Sequence, residues 1–229
     1  MAHDASPAAG TSQTEGWQSL VSDWSGDKQT FQVPWGKAMM WIFLLSDTFI
    51  FTSFLTGYMN VRISTAAEWP NPSEIFALQM FGYDVPLILI AIMTFVLISS
   101  SGTMAMAVNF GYRGDRAKAA ALMLITGGFG ATFVGMQAFE WTKLITEGVR
   151  PWENPFGAEQ FGATFFMITG FHGLHVSAGV IYLVIVAMKV LRGDYERGGG
   201  NYEIVEIAGL YWHFVDLVWV FIFAFFYLW

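Results

Sequence analysis

Phe161 to Leu191 reads FGATFFMITGFHGLHVSAGVIYLVIVAMKVL, with one Lys or Arg, Lys189, close to its end. It exceeds the roughly 20 residues that an α-helix needs to cross a hydrocarbon core about 30 Å thick. The run is too long and too uniformly apolar for a barrel strand, which alternates apolar and polar residues over about ten positions. Four more blocks share this character: Gly36 to Asn60, Val85 to Phe110, Ala117 to Ile145 and Ile204 to Trp229. Polar or proline-bearing stretches separate them, at Glu68 to Pro72, Tyr112 to Arg116, Arg150 to Pro155 and Arg192 to Asn201. The composition agrees: 55% of residues are hydrophobic and only 13% charged, about half the charge of a soluble domain. The fold class is therefore an all-α membrane protein, a bundle of five transmembrane helices.

Residues 1–35 are expected to form a polar N-terminal tail, and 36–229 the transmembrane domain. The tail holds Asp4, Glu15, Asp23 and Asp27 and has no apolar core of the signal-peptide kind. Trp17 to Trp24 is expected to lie on the membrane surface, where indoles favour the headgroup zone. Five crossings put the termini on opposite sides. Lys28, Lys37, Arg113, Arg116, Lys118, Lys189, Arg192 and Arg197 fall on the N-terminal side, against Arg62, Lys143 and Arg150 on the other. Lys and Arg concentrate on the cytoplasmic side, so a cytoplasmic N-terminus and an external C-terminus are expected. Trp35, Trp41, Trp69, Trp141, Trp152 and Trp229 stand near block ends, as interfacial anchors do. The chain has no cysteine, which excludes disulfides, thiolate metal sites and cysteine nucleophiles. Its net charge is −7, and no basic patch offers a nucleic acid a place to bind.

Small residues recur inside the helices, at Ser99 to Gly102, Gly127, Gly128, Gly130, Ala131, Gly135, Gly170 and Gly173. They let backbones approach closely in lipid, so the third and fourth helices are expected to pack tightly. More informative are ionisable residues at membrane depth: Asp47, Glu140, His172, His175, His213 and Asp216, with Glu206 nearer a helix start. A charge at the bilayer centre costs roughly 2.5–3.5 kcal/mol on insertion scales. These side chains must face protein, trapped water or bound polar lipid. Asp47 also escapes the cost if it keeps its proton.

Three readings fit them. The first is a metal or haem site built from His172 and His175, three apart on one helix face, with His213 as a third imidazole. Against it, the sequence has no Glu-x-x-His pair of the di-iron bundle kind. The second is a proton path through Asp47, the histidines and Asp216. The third is a set of interhelical hydrogen bonds that fix the packing, worth about 1 kcal/mol each. A free-standing transporter would show a repeat with broken helices around a midplane site, and no repeat is visible. The 22 phenylalanines read as lipid-facing or core filling and by themselves argue for no redox ligand.

Several strings resemble one family. Phe161 to Leu191, with TGFHGLHV inside it, Ala208 to Trp229 (AGLYWHFVDLVWVFIFAFFYLW) and Gly130 to Trp141 (GATFVGMQAFEW) are similar to successive late helices of subunit III of haem–copper oxidases, the cytochrome c oxidase subunit III family. The resemblance covers Gly36 to Trp229 and is to the shorter bacterial type, which lacks an N-terminal helix pair. It implies a non-haem accessory subunit of an aerobic respiratory complex in a bacterial inner membrane. Such a chain has no catalytic residue and no metal or cofactor of its own. The haems and copper sit in partner subunits. Its partners would be subunit I directly, subunit II in the same complex, and phospholipids held in a cleft between the first two helices and the rest. It would support proton uptake and sustained oxygen reduction. Asp47, where many members carry Glu, would be a buried carboxyl at that cleft, and Lys189 would meet a lipid phosphate. Glu140, His172, His175, His213 and Asp216 would form a structural polar network. The electron donor would be cytochrome c, towards which YWHFVDLVW leans. Asp at position 47 also occurs in quinol oxidases, so quinol is the alternative donor, and a nitric oxide reductase-associated homologue the alternative setting.

Overall fold

The computed structural model describes residues 34–80, 83–85, 87–195 and 202–228. Five helices are long and apolar enough to cross a membrane: α1 (Trp35–Ser64), α2 (Ile88–Tyr112), α3 (Arg116–Thr146), α4 (Gln160–Arg192) and α5 (Glu203–Tyr227). The tail element expected at Trp17 to Trp24 and the anchor at Trp229 lie outside the described residues.

Local chemistry sets the helix ends. α1 starts directly after Pro34, whose ring cannot continue a helix backwards but suits its first turn. α3 is capped by Asp115, whose carboxylate accepts from the Lys118 amide at 3.2 Å. The Lys118 ammonium, 2.8 Å from the same carboxylate, holds it below the usual carboxylate range. α4 stops at Gly193, which adopts φ 71°, a left-handed conformation that glycine tolerates best. α2 begins at Ile88, three residues later than the apolar run suggests, because Val85 belongs to a hairpin. That hairpin pairs Leu78–Met80 (β1) with Tyr83–Val85 (β2) antiparallel. It follows a single helical turn at Pro72–Ile75, capped by Asn71. Three-residue strands are too short to show alternation in the sequence.

α5 is the hub of the bundle. It packs against α2, α4 and α1, while α2 lies along α3 and α3 along α4. α1 is the outlier and touches only α5 and, more lightly, α4 to any extent. The centre is aromatic: Trp212, Trp219, Phe133, Phe165 and Phe226 are fully buried. Trp212 sits in a slot between two glycines. A Cβ on Gly130 of α3 would lie 2.4 Å from the indole, and one on Gly179 of α4 would lie 3.0 Å from it. α3 and α4 do pack closely, as expected. The small residues are not one seam, however. A Cβ at Gly102, Gly128, Gly135 or Gly173 would meet nothing within 4 Å.

The two ends of the bundle are tied differently. On the N-terminal side Lys37 of α1 pairs with Glu206 of α5 at 2.5 Å, and the Tyr112 hydroxyl of α2 donates to the same carboxylate. On the opposite side Lys143 of α3 donates to the Ile75 carbonyl at 3.2 Å and also to that of Ala77. This fastens the α1–α2 connection to the bundle.

Candidate functional site

The ionisable residues at membrane depth fall into three separate groups. The first joins α1 to α4. Asp47 is 3% exposed, and its Oδ1 lies 3.5 Å from His175 Nε2. That is ion-pair range but longer than a good hydrogen bond. His175 Nδ1 is 2.8 Å from the Phe171 carbonyl oxygen. A carbonyl can only accept, so Nδ1 carries a proton and Nε2 is presented to the carboxyl. Phe51 and Phe171 wall the pair, with ring centroids 5.6 and 4.7 Å from His175. The Tyr211 hydroxyl of α5 donates to the His175 carbonyl at 2.9 Å, so a third helix locks this turn of α4.

His172, one turn earlier, behaves differently. It stacks on Trp219 at 5.4 Å and meets Phe133 edge-on at 5.8 Å. Neither ring nitrogen has a hydrogen-bond partner. The expected hydrogen-bonded member of a polar network is therefore a packed ring at the junction of α3, α4 and α5.

The second group joins α2 to α5. Ser101 Oγ is 2.5 Å from His213 Nδ1. Trp212 Nε1 donates to Ser100 Oγ at 2.9 Å, and Trp219 Nε1 to Thr94 Oγ1 at 3.1 Å. Asp216 is 8% exposed and lies beside the Ser100 and Ser101 hydroxyls, yet neither of its oxygens reaches hydrogen-bond geometry. The third group lies near the C-terminal end of α3. Glu140 accepts from Gln137 Nε2 at 3.0 Å and from the Tyr227 hydroxyl at 3.3 Å. Lys189 is exposed in the last turn of α4.

So His172 and His175 share a helix face, while His213 faces α2 from another helix. Among the described residues no three His, Asp or Glu side chains converge as a metal site would require. α2 packs along α3 and α5, and a groove of about 650 Å³ runs between α1 and α5, with Thr48, Phe51 and His213 in its walls. Phe51, not Asp47, is the α1 residue shared between this groove and the His175 pair.

Sequence reading found the charged members and missed their partners. Ser100, Ser101 and Thr94 look like ordinary small helix residues. Tyr211, Trp212 and Trp219 appear in the late strings with no contact assigned. One signal was present for these three: each sits within a few residues of His213 or Asp216 on the same hub helix.

The fold defines a class, a multi-pass membrane protein whose buried polar groups bind helices to one another. A family model for cytochrome c oxidase subunit III matches residues 16–229, and this chain belongs to that family. It is 32% identical over 190 residues to the cytochrome bo(3) ubiquinol oxidase subunit 3 of Pseudomonas aeruginosa, covering 82% of each chain. It is 31% identical to the cytochrome c oxidase subunit 3 of Alkalihalophilus pseudofirmus, covering 82% of this chain and 84% of that one. It is 30% identical to a probable quinol oxidase subunit 3 of Staphylococcus aureus, covering 86% and 90%.

Proposed function

We propose that this chain is the non-haem subunit III of an aerobic respiratory oxidase. It packs on the haem–copper subunit I in a bacterial inner membrane, with its N-terminus cytoplasmic. The carrying observation is the family match, which runs through all five helices. The polar groups support an accessory role, because Ser101, Ser100, Thr94 and Tyr227 use theirs to join helices. The Asp47–His175 pair is the place where the chain would assist proton supply, since it brings a carboxyl and an imidazole together at membrane depth. Lys189, exposed at the end of α4, is the cation for a phospholipid phosphate. Subunit II shares the complex.

Cytochrome c is the donor on this reading. Quinol is the second reading, favoured by relatives named as quinol oxidases at the same level of identity. The test is to purify through a tag on this chain and sequence what accompanies it. A haem-bearing multi-helix partner is expected, with copper ligands in subunit II if the donor is cytochrome c. A subunit II without them would assign quinol. Recovery of the chain alone from active membranes would refute the assignment.

A further inference from the structure

The groove between α1 and α5 is lined mostly by apolar side chains, with Thr48, Thr52, Thr56 and His213 among them. Its walls carry Leu44, Leu45, Leu217, Val218, Phe221 and Phe225. Leu45, Leu217 and Phe221 are at least half exposed, so it opens at the side of the bundle. On α1 it runs from Trp41 to Thr56, about 22 Å at 1.5 Å per residue. Its volume of about 650 Å³ falls within the roughly 300–1,000 Å³ of small-molecule sites.

The one ionisable side chain in this lining is His213, near the middle of α5. Ser101 of α2 holds its Nδ1 at 2.5 Å, which fixes the ring and leaves Nε2 as its remaining polar atom. The ring is partly exposed and lines the groove. Beside Ser101 lies Asp216, more than nine-tenths buried, with neither oxygen hydrogen-bonded. An oriented imidazole, backed by a hydroxyl and an unpartnered carboxyl, thus meets an apolar slot at mid-membrane depth. The Thr48 and Thr56 hydroxyls on the opposite wall already donate to the Leu44 and Thr52 carbonyls, so His213, with the Thr52 hydroxyl across from it, is the ring group available to recognise a ligand there.

A phospholipid does not match this arrangement. Its headgroup stays at the surface, about 15 Å from the midplane, and its acyl chains have nothing to offer a ring nitrogen. The matching chemistry is a long apolar tail joined to a ring that carries oxygens and can enter the hydrocarbon core. We infer that the α1–α5 groove binds an isoprenoid quinone or quinol, with a ring oxygen hydrogen-bonded to His213 Nε2. The ring nitrogen accepts from a quinol hydroxyl or donates to a quinone carbonyl, according to its tautomer. The inference concerns binding alone and does not depend on the oxidase assignment.

The test uses the tagged complex in lipid nanodiscs with an azido-quinone probe, and locates adducts by peptide mass spectrometry. A phosphatidylcholine with a photoreactive acyl chain serves as the comparison. Quinone adducts are expected within residues 41–56 and 210–225, and excess decyl-substituted benzoquinone should suppress them. His213→Leu should lower them about fivefold, the loss that one hydrogen bond brings. Leu217→Trp, at a half-exposed position, should fill the groove and abolish them. If His213→Leu fails to assemble, Leu217→Trp decides alone: loss of adducts supports the inference and retention overturns it. Adducts that resist competition, adducts unchanged in an assembled His213→Leu complex, or labelling by the phospholipid probe only would each overturn it. Because adducts are mapped to this chain, their absence leaves the co-purification result untouched.

Discussion

Asp47 shows what a single residue does at membrane depth. Its carboxyl is enclosed between α1 and α4, 3.5 Å from His175 and near enough to Tyr211 for the two to interact electrostatically. Removing His175 strands the carboxyl, and removing the carboxyl strands Nε2. A double-mutant cycle over Asp47→Leu and His175→Phe should therefore show coupling of about 1 kcal/mol, read from thermal dissociation of the solubilised complex. Strict additivity would mean that the 3.5 Å approach carries no interaction. Asp47→Asn alone should be mild, because the amide keeps the shape and can still hydrogen-bond. Asp47→Leu should be worse, since it leaves the imidazole facing a hydrocarbon. His172 should respond to size instead of polarity. His172→Phe should assemble normally, whereas His172→Ala should cost about 3 kcal/mol through the cavity left between Trp219 and Phe133. Equal effects of the two would contradict its role as a packed ring. The sequence made these residues conspicuous because charge is rare in an apolar run. It could not show that Asp47 meets His175 while His172 meets only rings, since that depends on how helices distant in sequence are rotated.

At the scale of helices, close approach is decided by a few glycines. Gly130→Ala would drive a methyl group into the Trp212 indole and Val180, and overpacking of this kind costs about 1–3 kcal/mol. Gly128→Ala, two residues away with open space around it, should leave the bundle unharmed. Melting of the full chain in detergent should separate the two variants, and equal melting would refute the Trp212 slot. The connection from α1 to α2 depends on Lys143. Lys143→Met frees the Ile75 and Ala77 carbonyls, so limited proteolysis between residues 68 and 88 should speed up several-fold, an amount on the order of the one or two hydrogen bonds lost. An unchanged cleavage rate would show that the turn at Pro72–Ile75 holds itself. Helix existence was plain in the sequence, because each apolar run is long enough to span. The hairpin between Leu78 and Val85 was not, because strands of three residues carry no readable period. The role of the glycines was legible only in part. Gly130 and Gly135 look alike in sequence, and only the position of Trp212 tells them apart.

The whole molecule is a bundle organised around its last helix. α5 supplies Tyr211, Trp212, His213 and Trp219, and their polar atoms reach α4 and α2. The late strings of the sequence thus carried both the family resemblance and the hub of the fold, for one reason: a helix that touches three others has few interchangeable residues. α1 is held by charge at its N-terminal end through Lys37 and Glu206, at mid-depth through Asp47, and by ring packing of Tyr58 on Phe226 further along. Lys37→Met should therefore loosen α1 first, seen as faster hydrogen exchange there than in α3. The groove between α1 and α5 was not legible in the sequence, because the path of α1 across α5 leaves no mark in local composition. The most direct test of the central claim is affinity purification from native membranes through a tag on this chain, with mass spectrometry and a reduced-minus-oxidised haem spectrum. The expected result is a stoichiometric multi-helix subunit carrying haem, with oxygen consumption in the eluate. The chain eluting intact, alone and free of haem, while oxidase activity remains in the flow-through, would contradict it.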